Sequence, residues 1–109
     1  MEISRGDLVT AVLAGEYGKP RPVLVIQADA FSELSSLTVL PLTSDLHDWP
    51  LFRVTVEPSR QNGLQTLSQI MIDKAATVPH RKIGKRVGRL DSRTMRAADI
   101  ALARFLGLV

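Results

Sequence analysis

Cysteine is missing altogether from these 109 residues, which rules out disulfides, thiolate nucleophiles and cysteine-held metals. The fold must therefore hold by packing, an arrangement suited to a reducing compartment. Histidine occurs twice, too thin a supply for a metal centre, and no metal or other cofactor is expected. Long apolar runs are wanting as well: residues 22–26 and 37–42 are the longest, against the ~20 needed to cross a bilayer. The amino terminus carries Glu2 and no apolar signal core, so the expected location is the cytoplasm, with no membrane partner. HExxH, Walker, GxSxG and EF-hand patterns are all lacking, and with them go the main metal, nucleotide and acyl-transfer classes.

What is present is ordinary globular material, 45% hydrophobic and 23% charged, enough apolar surface to fold without help. The length fits a single domain spanning residues 1–109. Lysine and arginine number 14 against 11 acidic residues, a net charge of +3, which favours polyanionic partners without specifying one.

Hydrophobic patterning predicts short strands followed by one helix. Residues 7–13 mix β-branched and aliphatic side chains without helical spacing and run into a loop, residues 14–20, that carries Gly15 and Gly18. Residues 21–27 read as a strand buried on both faces, with Pro22 spared because it lies near the start. Residues 37–42 form a third strand, which Pro41 should confine to an edge or bend with a bulge. Residues 52–56 alternate apolar with polar, and Asn62-Gly63 signals a hairpin joining them antiparallel to a long strand over residues 64–72. The basic stretch 78–90, broken by Pro79, Gly84 and Gly88, predicts a turn and a strand. Asp91 or Ser92 can cap a helix whose apolar set Met95, Ala98, Leu102 and Leu106 recurs every three or four residues before Gly107. Together these predict a mainly β (α+β) fold: an SH3-like barrel of about five to seven strands with a C-terminal amphipathic helix.

Three constellations carry chemistry, and each reads two ways. Gly15-Glu-Tyr-Gly-Lys-Pro-Arg-Pro22 brings a carboxylate and a guanidinium to one rim, either as a functional loop or as a surface hairpin with a weak Glu16–Arg21 pair. Thr43-Ser44-Asp45 either presents hydroxyl donors to a phosphate or closes an ordinary turn. Close by in sequence, His47 is a natural acid or base, and Trp49 either stacks on a nucleobase or anchors its loop. The run from His80 to Arg89 suits nucleic acid or an acidic protein alike, since charge attracts both.

Arg5-Gly-Asp-Leu8, Gly15-Glu-Tyr-Gly-Lys-Pro-Arg-Pro-Val-Leu-Val-Ile26, Leu40-Pro-Leu-Thr-Ser44 and Ser68-Gln-Ile-Met-Ile-Asp-Lys74 resemble, in order and spacing, the motifs of MazF/PemK toxins. The match runs from Arg5 to the final helix. The resemblance implies the CcdB/MazF-like barrel, and sequence-selective, metal-independent cleavage of single-stranded RNA by attack of a ribose 2′-hydroxyl on the adjacent phosphate. A 2′,3′-cyclic phosphate and a 5′-hydroxyl would be left. It implies catalytic roles for Arg21 and Thr43, with Glu16 as the acidic loop residue beside them. Lys19, Ser44, Gln69, His47 and Trp49 are the RNA-binding candidates. The implied partners are single-stranded RNA, a second copy in a homodimer whose groove spans the interface, and a cognate antitoxin with an acidic C-terminal segment.

One branch of that family, the Kid-like toxins, has an arginine and an aspartate just before the glutamine, where this chain has Thr66 and Ser68. The acid–base assignment of that branch does not transfer. Arginine stays protonated at physiological pH, so Arg21 is expected to stabilise charge and to serve as leaving-group acid, while Glu16 or a histidine takes the nucleophile's proton. A rival reading is the CcdB toxins, which share the fold, bind DNA gyrase and cut nothing. Those end in a Trp-Gly-Ile type motif, whereas this chain ends Phe105-Leu-Gly-Leu-Val109.

Overall fold

A computed structural model describes residues 2–15 and 17–109. Seven strands and one helix follow the order β1 (Asp7–Val12), β2 (Pro20–Val25), β3 (Ser36–Thr43), β4 (Arg53–Val56), β5 (Ser68–Met71), β6 (Ala76–Pro79), β7 (Ile83–Arg89) and α1 (Ser92–Phe105). All the strand pairings are antiparallel, in the spatial order β4-β5-β3-β2-β1-β7, with β6 also paired to β3. No ladder joins β7 to β4 among the described residues, so the sheet is barrel-like but open. The expected barrel-like sheet with one terminal helix is thus present, with seven strands.

Strand alternation divides the core into two clusters. One face buries Leu24, Leu40, Leu42, Val56 and Ile70, and α1 covers it with Ala98, Met95, Ala101 and Leu102. Val9, Ala11, Val23, Val25, Val39 and Val78 fill the other. Asp91 caps α1, its carboxylate accepting from the main-chain N–H of Thr94 at 3.0 Å and from its hydroxyl at 2.7 Å. Leu106, placed by spacing on the buried face, is instead an exposed C-cap, because Gly107 turns the chain away at φ +74°.

Three sequence expectations are corrected. Pro41 lies neither at an edge nor in a bulge: β3 is central, paired to β2 through Val39, Leu40 and Pro41. On its other side β6 pairs as far as Val39 and β5 begins at Leu42, so Pro41 occupies the gap between two ladders, where no donor is required. The strand after the Asn-Gly turn is Ser68–Met71 alone, shorter than residues 64–72. It does pair with β4, but Asn62-Gly63 makes no tight hairpin. Asn62 is buried and braces the long connection by accepting from Ser59 and Leu64 and donating to the Glu57 carbonyl. Gly63, at φ +69°, seats against β7, where a Cβ would collide with the Val87 carbonyl. The basic run, finally, is partly structural. Arg86 and Arg89 both hold the buried carboxylate of Asp7, at 3.0 and 2.9 Å, and so tie β7 to β1, leaving Arg81, Lys82 and Lys85 on the surface.

Candidate functional site

The ladders bring together residues that lie far apart in sequence. Thr43 is paired with Gln69, and Gln69 with Thr55, so these three side chains stand in one row across β3, β5 and β4. On β2, Arg21 stands two residues beyond the Val23–Pro41 pair, as Thr43 does on β3, which extends the row to a fourth strand. The row occupies the face opposite the cluster covered by α1. An arginine fork and a threonine hydroxyl at its end are the donor set that a phosphate oxygen wants. Arg21 is exposed at the head of β2 and Thr43 is half-buried at the tail of β3.

Gln69 is 7% exposed, and its amide is fully engaged. Oε1 accepts from the His47 main-chain N–H at 3.1 Å and from Arg53 Nη1 at 2.8 Å. Nε2 donates to the His47 carbonyl at 3.0 Å and to Thr55 Oγ1 at 3.3 Å. Gln69 thus pins the β3–β4 loop from below, and Arg53 adds a bond from Nη1 to the Asp45 carbonyl at 3.0 Å. The Nε of Arg53 is buried and finds no hydrogen-bond partner among the described residues, a cost of holding the guanidinium in place.

The pinned loop presents a stack. The His47 and Trp49 rings lie 3.9 Å apart and parallel to within 4°; Phe52 packs on Trp49 at 5.4 Å, and the Arg53 guanidinium stands 4.9 Å from the indole centroid. One indole face is therefore taken by His47, and Trp49 anchors the loop while staying 41% exposed. His47 Nε2 lies 3.2 Å from Asp45 Oδ2, and the Asp45 main-chain N–H donates to Thr43 Oγ1 at 3.0 Å.

Beside the row, a cleft of about 470 Å³ is lined by Val12, Pro41, Met71, Val78, Lys74 and Lys82. Its apolar floor and two lysines suit an oligonucleotide backbone laid against a hydrophobic seam. A larger apolar groove, about 620 Å³, runs between Leu51 and Phe52 on one side and Ile100 and Phe105 of α1 on the other, with Arg104 as its one charged lining residue.

Of the residues expected at the site, Arg21, Thr43, Gln69, His47 and Trp49 converge on the row and its loop. Ser44 and Lys19 are exposed beside it, and Glu16 lies outside the described residues. His80 opens a turn against Ser35, away from Thr43 at the other end of β3. Among the described residues no group of three histidine, aspartate or glutamate side chains is placed to hold a metal ion. Sequence reasoning missed Arg53 and Thr55. Alternation in Phe52-Arg-Val-Thr-Val56 sets both on the wet face, but only the β4–β5 register shows that Gln69 shares it.

Comparison with known proteins adds four findings. Residues 4–106 match the family model described as PemK-like, MazF-like toxin of type II toxin-antitoxin system. The chain is 50% identical over 105 residues to a probable endoribonuclease MazF of Mycolicibacterium smegmatis, covering 95% of this chain and 96% of that one. Among solved structures, Mycobacterium tuberculosis toxin MazF-mt6 superposes with a TM-score of 0.79 at 25% identity over 93% of this chain and 96% of that one. A mycobacterial endoribonuclease solved with its cognate antitoxin superposes at 0.83 with 22% identity, over 98% and 97% of the two chains, a likeness of fold.

Proposed function

This chain belongs to the PemK-like, MazF-like toxins of type II toxin-antitoxin systems, and we propose that it is an endoribonuclease that cuts single-stranded mRNA sequence-selectively without a metal. The observation that carries this reading is the row Arg21, Thr43, Gln69, Thr55. It places a guanidinium and a hydroxyl on adjacent strand ends beside a lysine-bearing cleft.

In the reaction a ribose 2′-oxygen bonds to the neighbouring phosphorus and the bond to the 5′-oxygen breaks, leaving a cyclic phosphate and a 5′-hydroxyl. Negative charge accumulates on the phosphoryl oxygens on the way. Arg21 matches two of those oxygens with its planar fork and Thr43 donates to a third acceptor, so both act where the transition state differs most from the ground state. Gln69 is a positioning residue that holds the β3–β4 loop, and Lys74 and Lys82 attract the backbone along the cleft. Glu16 remains a catalytic candidate on resemblance alone. Selectivity for unpaired bases follows from stacking and edge contacts at the exposed loop.

The same reading includes a cytoplasmic homodimer, with the apolar cleft walls Val12, Leu13, Met71 and Pro79 at the seam. It also includes neutralisation by an antitoxin whose acidic segment competes with RNA for the cationic cleft. Gyrase binding without cleavage draws no support from the family match.

The test is incubation with a long single-stranded RNA in excess EDTA, with ends mapped by primer extension, beside Arg21→Ala and Thr43→Ala. Discrete cuts bearing cyclic-phosphate ends are expected, slowed about 100-fold or more in each variant. Intact RNA after incubation with folded wild-type protein would overturn the reading, and a gyrase assay would come next.

A further inference from the structure

The loop between β3 and β4 is exposed, yet it is held more firmly than an exposed loop needs. Gln69 bonds both the N–H and the carbonyl of His47, Arg53 bonds the carbonyl of Asp45, and the His47 ring lies flat on Trp49. These contacts fix the main chain on either side of two titratable side chains. They do so without burying them: the Asp45 side chain is 81% exposed and that of His47 38%.

The result is a directed chain of groups. Thr43 Oγ1 accepts from the Asp45 N–H, Asp45 Oδ2 faces His47 Nε2 at 3.2 Å, and Nδ1 is left as the second nitrogen of an imidazole held at a set angle. Thr43 and His47 are both referenced to one residue, since Gln69 is the strand partner of the first and the clamp on the second.

We propose that His47 is the general base of the cleavage reaction and that Asp45 is its positioning residue, oriented by the Gln69–Arg53 clamp. This rests on the ribonuclease reading given above and supplies the proton acceptor that arginine cannot be. With Nε2–H donated to Asp45, the neutral ring offers Nδ1 to the substrate 2′-hydroxyl. The proton passes to Nδ1 as the 2′-oxygen bonds to phosphorus. The 5′-oxygen leaves with the electron pair of the broken bond and takes a proton from water, while Arg21 neutralises the phosphoryl oxygens. The imidazolium then returns its proton to solvent. The charged group that faces the ring is Asp45; Asp48 follows it in the loop, Arg53 from β4 stands on the Trp49 ring that His47 stacks on, and Gln69 from β5 is neutral. The carboxylate next to Nε2 holds the ring in the tautomer and orientation that leave Nδ1 open.

The variants are His47→Phe, which keeps a ring to stack on Trp49, His47→Gln, which keeps polarity, and Asp45→Asn. Single-turnover cleavage of a mapped RNA is followed from pH 5 to 9. Binding is measured with the same RNA carrying a 2′-deoxy nucleotide at the cut. Both His47 variants should cleave about 100-fold slower or worse, a loss far larger than any loss of binding, and the acidic limb of the rate profile should vanish. Asp45→Asn should keep that limb with a lower plateau rate, because the ring loses the partner that orients it. Cleavage by folded His47→Phe at the wild-type rate, or a rate loss matched by an equal loss of binding, would overturn the base assignment and leave the ribonuclease standing. Wild-type protein that cuts no RNA would overturn both.

Discussion

Asp7 and Asp45 are both aspartates at strand ends beside arginines, and the molecule treats them in opposite ways. The Asp7 side chain is 3% exposed at the start of β1, accepts from the Ser4 N–H, and is gripped by Arg86 and Arg89. Asp45 follows β3 with its carboxylate open to water and a single histidine beside it. In the first region the charge itself is the joint between β1 and β7. In the second the main chain is bolted down from beneath, by Gln69 and Arg53, and the charged groups stay accessible. A buried charge gripped by two cations locks elements together but stands out of a substrate's reach; a site needs fixed geometry with open access.

Removing both cations should show the difference most strongly. In Arg86→Ala/Arg89→Ala the Asp7 carboxylate stays buried without a counter-charge. A loss of about 3 kcal/mol is expected in urea unfolding, the low end for a broken buried pair because the guanidinium groups reach solvent. A loss under about 1 kcal/mol would mean that Asp7 gains water easily and the contrast is false.

Gln69→Ala sits under the site yet should behave like the Asp7 region. It strands the His47 N–H and carbonyl and one Arg53 contact, and about 2 kcal/mol should be lost in thermal melts, with cleavage falling too. Asp91→Ala should remove about 1 kcal/mol through its cap. The Thr94 hydroxyl, and after it the Thr94 N–H, hold the Asp91 carboxyl below its ordinary value. A lowered folded value means that the contribution is complete above the ordinary carboxylate range and fades as pH falls through the folded value. The gap between wild type and Asp91→Ala should therefore close in acid. Asp45→Asn, last, should alter stability by no more than about 0.5 kcal/mol, because the pair is exposed, while slowing cleavage. A large loss of stability there would make Asp45 a joint like Asp7.

Much of this was legible in the chain. Alternation marked β4, near-continuous apolar runs marked β2 and β3, and the 3.6-residue spacing with Asp91 ahead of it marked α1, because periodicity and capping are local properties. Arg21, Thr43 and Gln69 stood out as candidates by resemblance, and His47 by its chemistry. What stayed hidden was non-local. Pro41 reads as an edge residue until β3 is seen to change partners around it, and Asn62-Gly63 reads as a hairpin until Gly63 is seen against β7. Two of the three cations of β7 face a buried aspartate some eighty residues away.

Residue order thus decided which segments are strands, where the helix starts, and that the chain carries the donors for phosphate chemistry, since each depends on neighbours a few positions apart. Tertiary structure alone decided that Arg21, Thr43, Gln69 and Thr55 form one row, that Arg53 and Gln69 brace the loop of Asp45 and His47, and that Arg86 and Arg89 serve Asp7. Strand register joins residues across tens of positions, and a one-residue slip would turn every one of those side chains to the other face.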